Sequence, residues 1–386
     1  MEARRSYGAK IIQGFIASVL ISACVEPVNF DVPPAQLLTI VDGMISDKPG
    51  PYTVFISRGL PLDADSTYRI PYPNVKVVLW DFTTGTGVNE VLTEVRPGEY
   101  ITGGVIQGKV GGVYSIRIET PDGGIYESEL EVMFPVGAVK DIRYEYEARS
   151  IQKTYGTVPA DVFKISIDAE VAESEQSYAR WRFKGTYKVS TRPELYYYIA
   201  LEFPLKAPFI CSGYIVVPLM DDEPEQPPGE GKLAQVGPCT CCICYVNDFE
   251  TVPQISDGQF VAGEYKNVKV AEVNINTETF FEKYLVEIEQ MSLSKNAYDF
   301  FKIIKAQKEG AAGLFQAPAG EVKGNIRAIK FTQPIVGIFY ASSIKSRSIY
   351  IPRSAVPYAL TRIKFIDRPC DKFFDYSSTS KPILWQ

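Results

Sequence analysis

Val113-Tyr114-Ser115-Ile116-Arg117-Ile118-Glu119-Thr120-Pro121-Asp122-Gly123-Gly124-Ile125-Tyr126-Glu127-Ser128 is the stretch that decides the fold class. Tyr114, Ile116 and Ile118 recur with a period of two, which puts them on one face of a half-buried strand. Pro121-Asp122-Gly123-Gly124 is a strong hairpin signal leading into a second strand. The same pattern recurs upstream at residues 37–41, at 52–57 after Lys48-Pro49-Gly50-Pro51, at 75–80, and at 99–102 after Pro97-Gly98. Short strands at this spacing, with no helical period between them, predict an antiparallel, Ig-like β-sandwich over residues 37–135. Val77, Leu79, Tyr114, Ile116 and Ile118 are its expected core. Trp80 and Tyr114 could stack on sugars, but their strand periodicity reads as core packing.

Residues 136–386 predict a larger β-rich domain. Strand patterning appears at 136–142, 163–168, 178–189, 197–203, 266–273 and 284–291, and again at 334–341 and 348–351. Between them the period changes once. Ser294 is placed to cap a helix, and Ala297, Phe300, Phe301 and Ile304 fall at helical spacing before Gly310 stops it. One amphipathic helix in a strand-rich domain is expected to cover a face or edge of the sheet. Its other side carries Lys295, Asp299, Lys302, Lys305 and Lys308 and reads as solvated. The run 221–231, acidic and rich in Pro and Gly, reads as a solvated loop. Asp221, Asp222 and Glu223 are candidate contacts for a partner, but they lack the ligand spacing of a calcium loop.

The 386-residue chain is 46% apolar and 22% charged, as folded proteins are. Its net charge is −6, and without residues 1–23, which carry Arg4, Arg5 and Lys10 against Glu2, it becomes −8. Phosphate backbones repel such a surface, so nucleic acid is a poor partner. The chain contains no histidine. That excludes Ser-His-Asp and Cys-His catalysis and every histidine-containing zinc site. Hydrolysis by carboxylates survives as a possibility, although no local pattern singles out a pair.

At the N-terminus a basic start is followed by an apolar run over residues 11–23 that is too short to span a bilayer. This is the layout of a secretory signal peptide. Ile21-Ser22-Ala23-Cys24 matches the lipobox of bacterial lipoproteins, in which the cysteine is acylated, for example with palmitate, after cleavage in front of it. Residues 24–36 then read as a lipidated cysteine and a tether. Three prolines favour extended backbone there, and about 3.3 Å per residue gives a reach of roughly 40 Å.

Six further cysteines remain: Cys211, Cys239, Cys241, Cys242, Cys244 and Cys370. An even number in an exported chain predicts disulfides. A bond between the adjacent Cys241 and Cys242 would be strained. Cys211 and Cys370 are therefore each expected to pair with a member of the 239–244 cluster, leaving one pair within it. The interleaved C-x-x-C spacings allow a zinc reading. The cluster lacks the loop that separates the two ligand pairs of a zinc ribbon, so neither a metal nor another cofactor is expected.

Several segments in order carry a resemblance: the lipobox and tether, VDGMISDKPGPYTVFISRG, VYSIRIETPDGGIYES, YARWRFKGTYKV, CTCCICY, MSLSKNAYDFFKIIKAQKEGAAGLFQAPAGEVKGNI, IVGIFYASSIKSRSIYI and the terminal Trp385. From about residue 37 onward the chain resembles the Bacteroidota outer-membrane lipoprotein family known as domain of unknown function 4249. Its first domain separately resembles transthyretin-like sandwiches. In that family the cluster more often includes a tryptophan, and two cysteines often lie near the C-terminus. Here Ile243 and Tyr245 stand near the first place and Cys370 alone at the second, so no disulfide pairing carries over.

The resemblance implies no enzyme activity. Members are usually encoded beside TonB-dependent outer-membrane transporters, which implies a non-catalytic accessory partner in nutrient uptake. A surface glycan- or peptide-binding lipoprotein using Tyr196, Tyr197 and Tyr198 is the alternative. A carboxylate-dependent envelope hydrolase is a third reading. The outer membrane is the expected location, with either face open.

Overall fold

In the computed structural model the described residues are 38–59, 70–172, 174, 177–199, 207–218, 231–256, 263–310, 324–360 and 365–385. Cys24, the tether, and Asp221, Asp222 and Glu223 lie outside them. The chain is mainly β, built as two sandwiches. In the first, one sheet runs in the order Ile335–Ser342, Leu38–Ser46, Thr53–Gly59, Glu99–Ile101, Thr93–Arg96. The other runs Ile326–Lys330, Ile125–Ser128, Val113–Glu119, Lys76–Asp81, Val88–Val91. Val77, Leu79, Tyr114, Ile116 and Ile118 meet in its core, none more than 2% exposed. Trp80 does not join them. The pleat turns it to the outer face, where it is half-buried and stacks on Phe82 at 5.7 Å.

Residues 37–135 do not complete this sandwich. Ile335–Ser342 joins Leu38–Ser46 in parallel, with Thr39 opposite Ile335 and Ser46 opposite Ser342. Ile326–Lys330 pairs with Ile125–Ser128. The chain thus returns after the helix to cover an outer strand of each sheet, which would otherwise present unpaired backbone groups. At Gly337 the returning strand adopts φ 122°, and a Cβ there would sit 1.9 Å from the Val41 carbonyl oxygen. Only glycine fits that backbone and that approach.

A single residue, Ser343, separates this strand from Ile344–Pro352 of the second sandwich. The Asp47 carboxylate accepts from the Ser343 hydroxyl at 2.6 Å and from the Ile344 N–H at 2.8 Å. Lys48 donates to Glu289 and Ser346, each at 2.6 Å. The two sandwiches are therefore joined by hydrogen-bonded chain as well as by a linker.

The second sandwich packs a three-stranded sheet, Val139–Glu147, Val162–Glu170, Glu264–Asn274, on a larger one. The larger sheet runs Ile344–Pro352, Lys283–Ser292, Ala179–Ser190, Ile243–Phe249, Ser377–Ser378. Trp181 is buried between them; its indole N–H donates to Gln290 at 2.9 Å, and the Gln290 amide donates to the Glu170 carbonyl at 2.8 Å. Every polar atom carried into this core by the tryptophan is thereby bonded.

The helix is Lys295–Gly310, and the Ser294 hydroxyl caps it by accepting from the Ala297 N–H at 3.2 Å. Ala297 and Phe301 are buried, as is Tyr298; Phe300 and Ile304 are half-buried. Lys295, Asp299, Lys302 and Lys308 are exposed.

The helix start is tied to the first sandwich through Glu131, whose side chain is fully buried. Glu131 accepts from the Ser294 hydroxyl at 2.5 Å, from the Asn325 amide at 2.9 Å and from the Asn296 amide at 3.3 Å. Burial pushes its pKa above the ordinary 4.5, against the lowering effect of those donors. The folded state then holds the proton more tightly than the unfolded state does. This contribution is full below the ordinary glutamate range and is lost as pH rises through the raised pKa, at about 1.4 kcal/mol for each pH unit that separates the folded pKa from the unfolded one. In denaturant titrations the stability of the native chain minus that of Glu131→Gln should fall as pH rises through this window. A difference that grows with pH would show that the carboxylate is stabilised in its charged form.

Candidate functional site

The cysteines gather at one end of the second sandwich. Disulfides join Cys211 to Cys241, Cys239 to Cys242 and Cys244 to Cys370. Cys244 lies on the strand Ile243–Phe249, and its bond pins the C-terminal segment to that strand. The other two bonds flank a two-stranded sheet, Tyr214–Pro218 with Gly231–Gln235. Cys211 precedes its first strand, and Cys239, Cys241 and Cys242 follow its second. This stapled hairpin and its flanks expose Ile210, Ile215, Val216, Val236 and Ile243.

The tyrosine run does not begin the strand expected over residues 197–203, of which residues 200–203 lie outside the described residues. Pro193 opens a short 3-10 turn that continues as the helical turn Tyr196–Ile199. Proline fixes a φ suited to such a start. Tyr197 is buried, and its hydroxyl donates to the Gly231 carbonyl at 3.1 Å. The Tyr196 ring packs on Phe209 at 4.9 Å. Both brace the stapled hairpin instead of forming a flat ligand platform. Tyr198 belongs to the same turn.

A polar cluster that no sequence pattern announces sits on the inner face of the larger sheet. Tyr284 reaches from Lys283–Ser292 across the middle strand to Asp248 on Ile243–Phe249, and donates to its carboxylate at 2.7 Å. It crosses at Gly185, which lies opposite both Asp248 and Val286. A Cβ at 185 would come within 1.8 Å of the Tyr284 hydroxyl, so the crossing requires glycine. Tyr187 stacks on Tyr284 at 5.9 Å. Burial raises the Asp248 pKa, against the hydrogen bond from Tyr284. Burial also raises Tyr187, helped by the charges of Asp248 and Glu278. The only sequence signal was Gly185 inside an otherwise bulky strand.

The outer face of the same sheet forms a shallow groove of about 920 Å³ between the sandwiches. It is lined by four basic side chains and two acidic ones: Arg182 pairs with Glu289, Lys184 with Glu287 and Lys48 with Glu289, while Arg347 has no carboxylate partner among the described residues. Partly exposed pairs of this kind contribute at most about 1 kcal/mol each. Among the described residues no cluster of Cys, Asp and Glu side chains is arranged to hold a metal ion, and no helix is long and apolar enough to cross a membrane.

A family model described as a domain of unknown function, DUF4249, matches residues 25–348, and the chain belongs to that family. No curated protein matches it, and no solved structure does.

Proposed function

We propose that this member of the DUF4249 family is a lipid-anchored, non-catalytic accessory protein of the bacterial cell envelope. It docks on a TonB-dependent transporter of the outer membrane through the stapled end of its second sandwich. The observation that carries this reading is the set of exposed apolar residues Ile215, Val216 and Val236 on the segment closed by Cys211–Cys241 and Cys239–Cys242, with Ile210 and Ile243 flanking it. Exposed apolar side chains gathered at one site suit an interface. Cross-links at the base of the hairpin reduce the ordering entropy that docking costs. The lipobox at Cys24 supports the membrane location, and the absence of histidine from the chain supports a binding role over most hydrolytic chemistries.

Acylation of Cys24 is the membrane hold in this reading. Cys24→Ala is expected to fold normally and to move from the membrane fraction to the soluble fraction of cells lacking the transporter. Retention of the variant in those membranes would mean that another part of the chain provides the anchor. Among the described residues Asp248, whose carboxyl burial holds above the ordinary range and which faces a cleft, would suit general-acid hydrolysis. Turnover of glycosides or peptides that disappears in Asp248→Asn would favour an enzyme instead.

A further inference from the structure

The three-stranded sheet of the second sandwich is too narrow to cover its six-stranded partner. Beside its edge strand, Glu264–Asn274, the inner face of Ile243–Phe249 is only partly covered, and Asp248 on it is half-buried. Cys244 and Val246, at the start of that strand, are sealed into the core with Cys370. Asp248 and the following Glu250 are not. They line a cleft of about 720 Å³ whose opposite wall includes the consecutive residues 269–274.

Consecutive residues along a wall mean that backbone as well as side chains faces the cleft. Among the described residues the part of this strand that lines the cleft, residues 269–274, pairs only with Val162–Glu170, so its other edge faces no further strand. Tyr187 and Asn276 also line a neighbouring hollow of about 440 Å³, walled by Phe365, Phe373 and Phe374. Phe365 is 62% and Phe373 52% exposed.

The charges here are unbalanced toward acid, with Lys269, paired to Glu272, the one basic side chain lining either hollow among the described residues, whereas the outer groove carries an excess of basic side chains. Glu250 is bonded to Arg180 and Glu272 to Arg149, both at 2.7 Å. Asp248, Glu278 and Asp367 have no basic partner among the described residues, and all three line these two hollows. Tyr284 is the one hydrogen-bond donor to the Asp248 carboxylate among the described residues. Carboxylates without counter-ions beside aromatic faces suit an organic cation. A free strand edge suits an extended backbone. A neutral saccharide could use the aromatic walls, but it would leave the three carboxylates uncompensated and the edge unpaired.

We propose that this cleft binds a basic peptide segment in extended conformation. Its backbone adds to the strand edge at residues 269–274, one lysine or arginine head reaches Asp248, and a second lies between Glu278, Asp367 and the phenylalanines. The site stands independently of the transporter assignment, because it rests on the cleft and not on the stapled hairpin.

Isothermal titration of the full mature chain with acetyl-Thr-Lys-Val-Lys-Thr-amide at low salt tests it. The lysine peptide is expected to bind, and its glutamate counterpart is not. Asp248→Asn, which keeps an acceptor for Tyr284, should weaken binding by about tenfold, the scale of one charge-assisted contact. Asp367→Asn, on the partly exposed rim, should weaken it in the same direction if the first variant proves unstable. Absence of binding at millimolar peptide overturns the proposal, as does equal binding of the glutamate peptide. A peptide N-methylated at alternate amides should lose affinity by a similar factor; unchanged affinity overturns the strand-edge part.

Discussion

Cys244→Ala/Cys370→Ala is expected to unfold with a stability loss of about 4 kcal/mol. The bond spans 126 residues of sequence, and closing a loop of that size restricts the unfolded chain by about 5 kcal/mol in the chain-entropy view. Both cysteines are fully buried, so the double substitution avoids leaving an unpaired thiol in the core and isolates the cross-link. The other two disulfides close segments outside this loop and do not duplicate its restraint. Denaturant titration under non-reducing conditions measures the loss. A change below about 1 kcal/mol would mean that the C-terminal segment is held without the cross-link, by the pairing of Ser377–Ser378 with Tyr245 and Val246 and by the packing of Trp385 on Tyr245 at 5.3 Å.

The second large effect lies at Gly337. Gly337→Ala is expected to cost about 4 kcal/mol, from an unfavourable positive φ and from overpacking. The added Cβ would meet the Val41 backbone, which cannot move aside without breaking the parallel pairing of Ile335–Ser342 with Leu38–Ser46. Because that pairing closes the first sandwich, the loss should appear in the melting of residues around Tyr114 and Tyr126, far away in sequence. Hydrogen exchange of the strand Val113–Glu119 reports it. Protection there equal to that of the parent chain would show that the first sandwich stands without the returning strand.

That returning strand also shows where the sequence stopped being readable. Its period-two pattern identifies residues 334–341 as a strand, but alternation is local and does not say which sheet a strand enters. Parallel pairing across nearly 300 residues leaves no turn signal. The hairpin at 113–128 was legible because its two strands and its turn are adjacent, and the buried Tyr114, Ile116 and Ile118 follow from alternation alone. The helix was legible for a similar reason, since Ser294, the apolar stripe and Gly310 lie within one short segment. Aromatic runs suit strands, which is why the pattern at 197–203 reads as one, whereas Pro193 just before it starts a turn that continues as the helical Tyr196–Ile199. The Asp248–Tyr284 cluster depends on three neighbouring strands and on one glycine, so no stretch of sequence contains it.

The docking surface is tested most directly by purification of the acylated chain from gently solubilised outer membranes, alongside an Ile215→Asp/Val236→Asp variant. Both substitutions fall on exposed side chains and should leave the fold and the disulfides intact. The parent chain is expected to bring down a TonB-dependent transporter in fixed ratio, and the variant to lose most of it. Recovery of the parent chain alone, or an equal yield of transporter with the folded variant, would contradict docking through the stapled end.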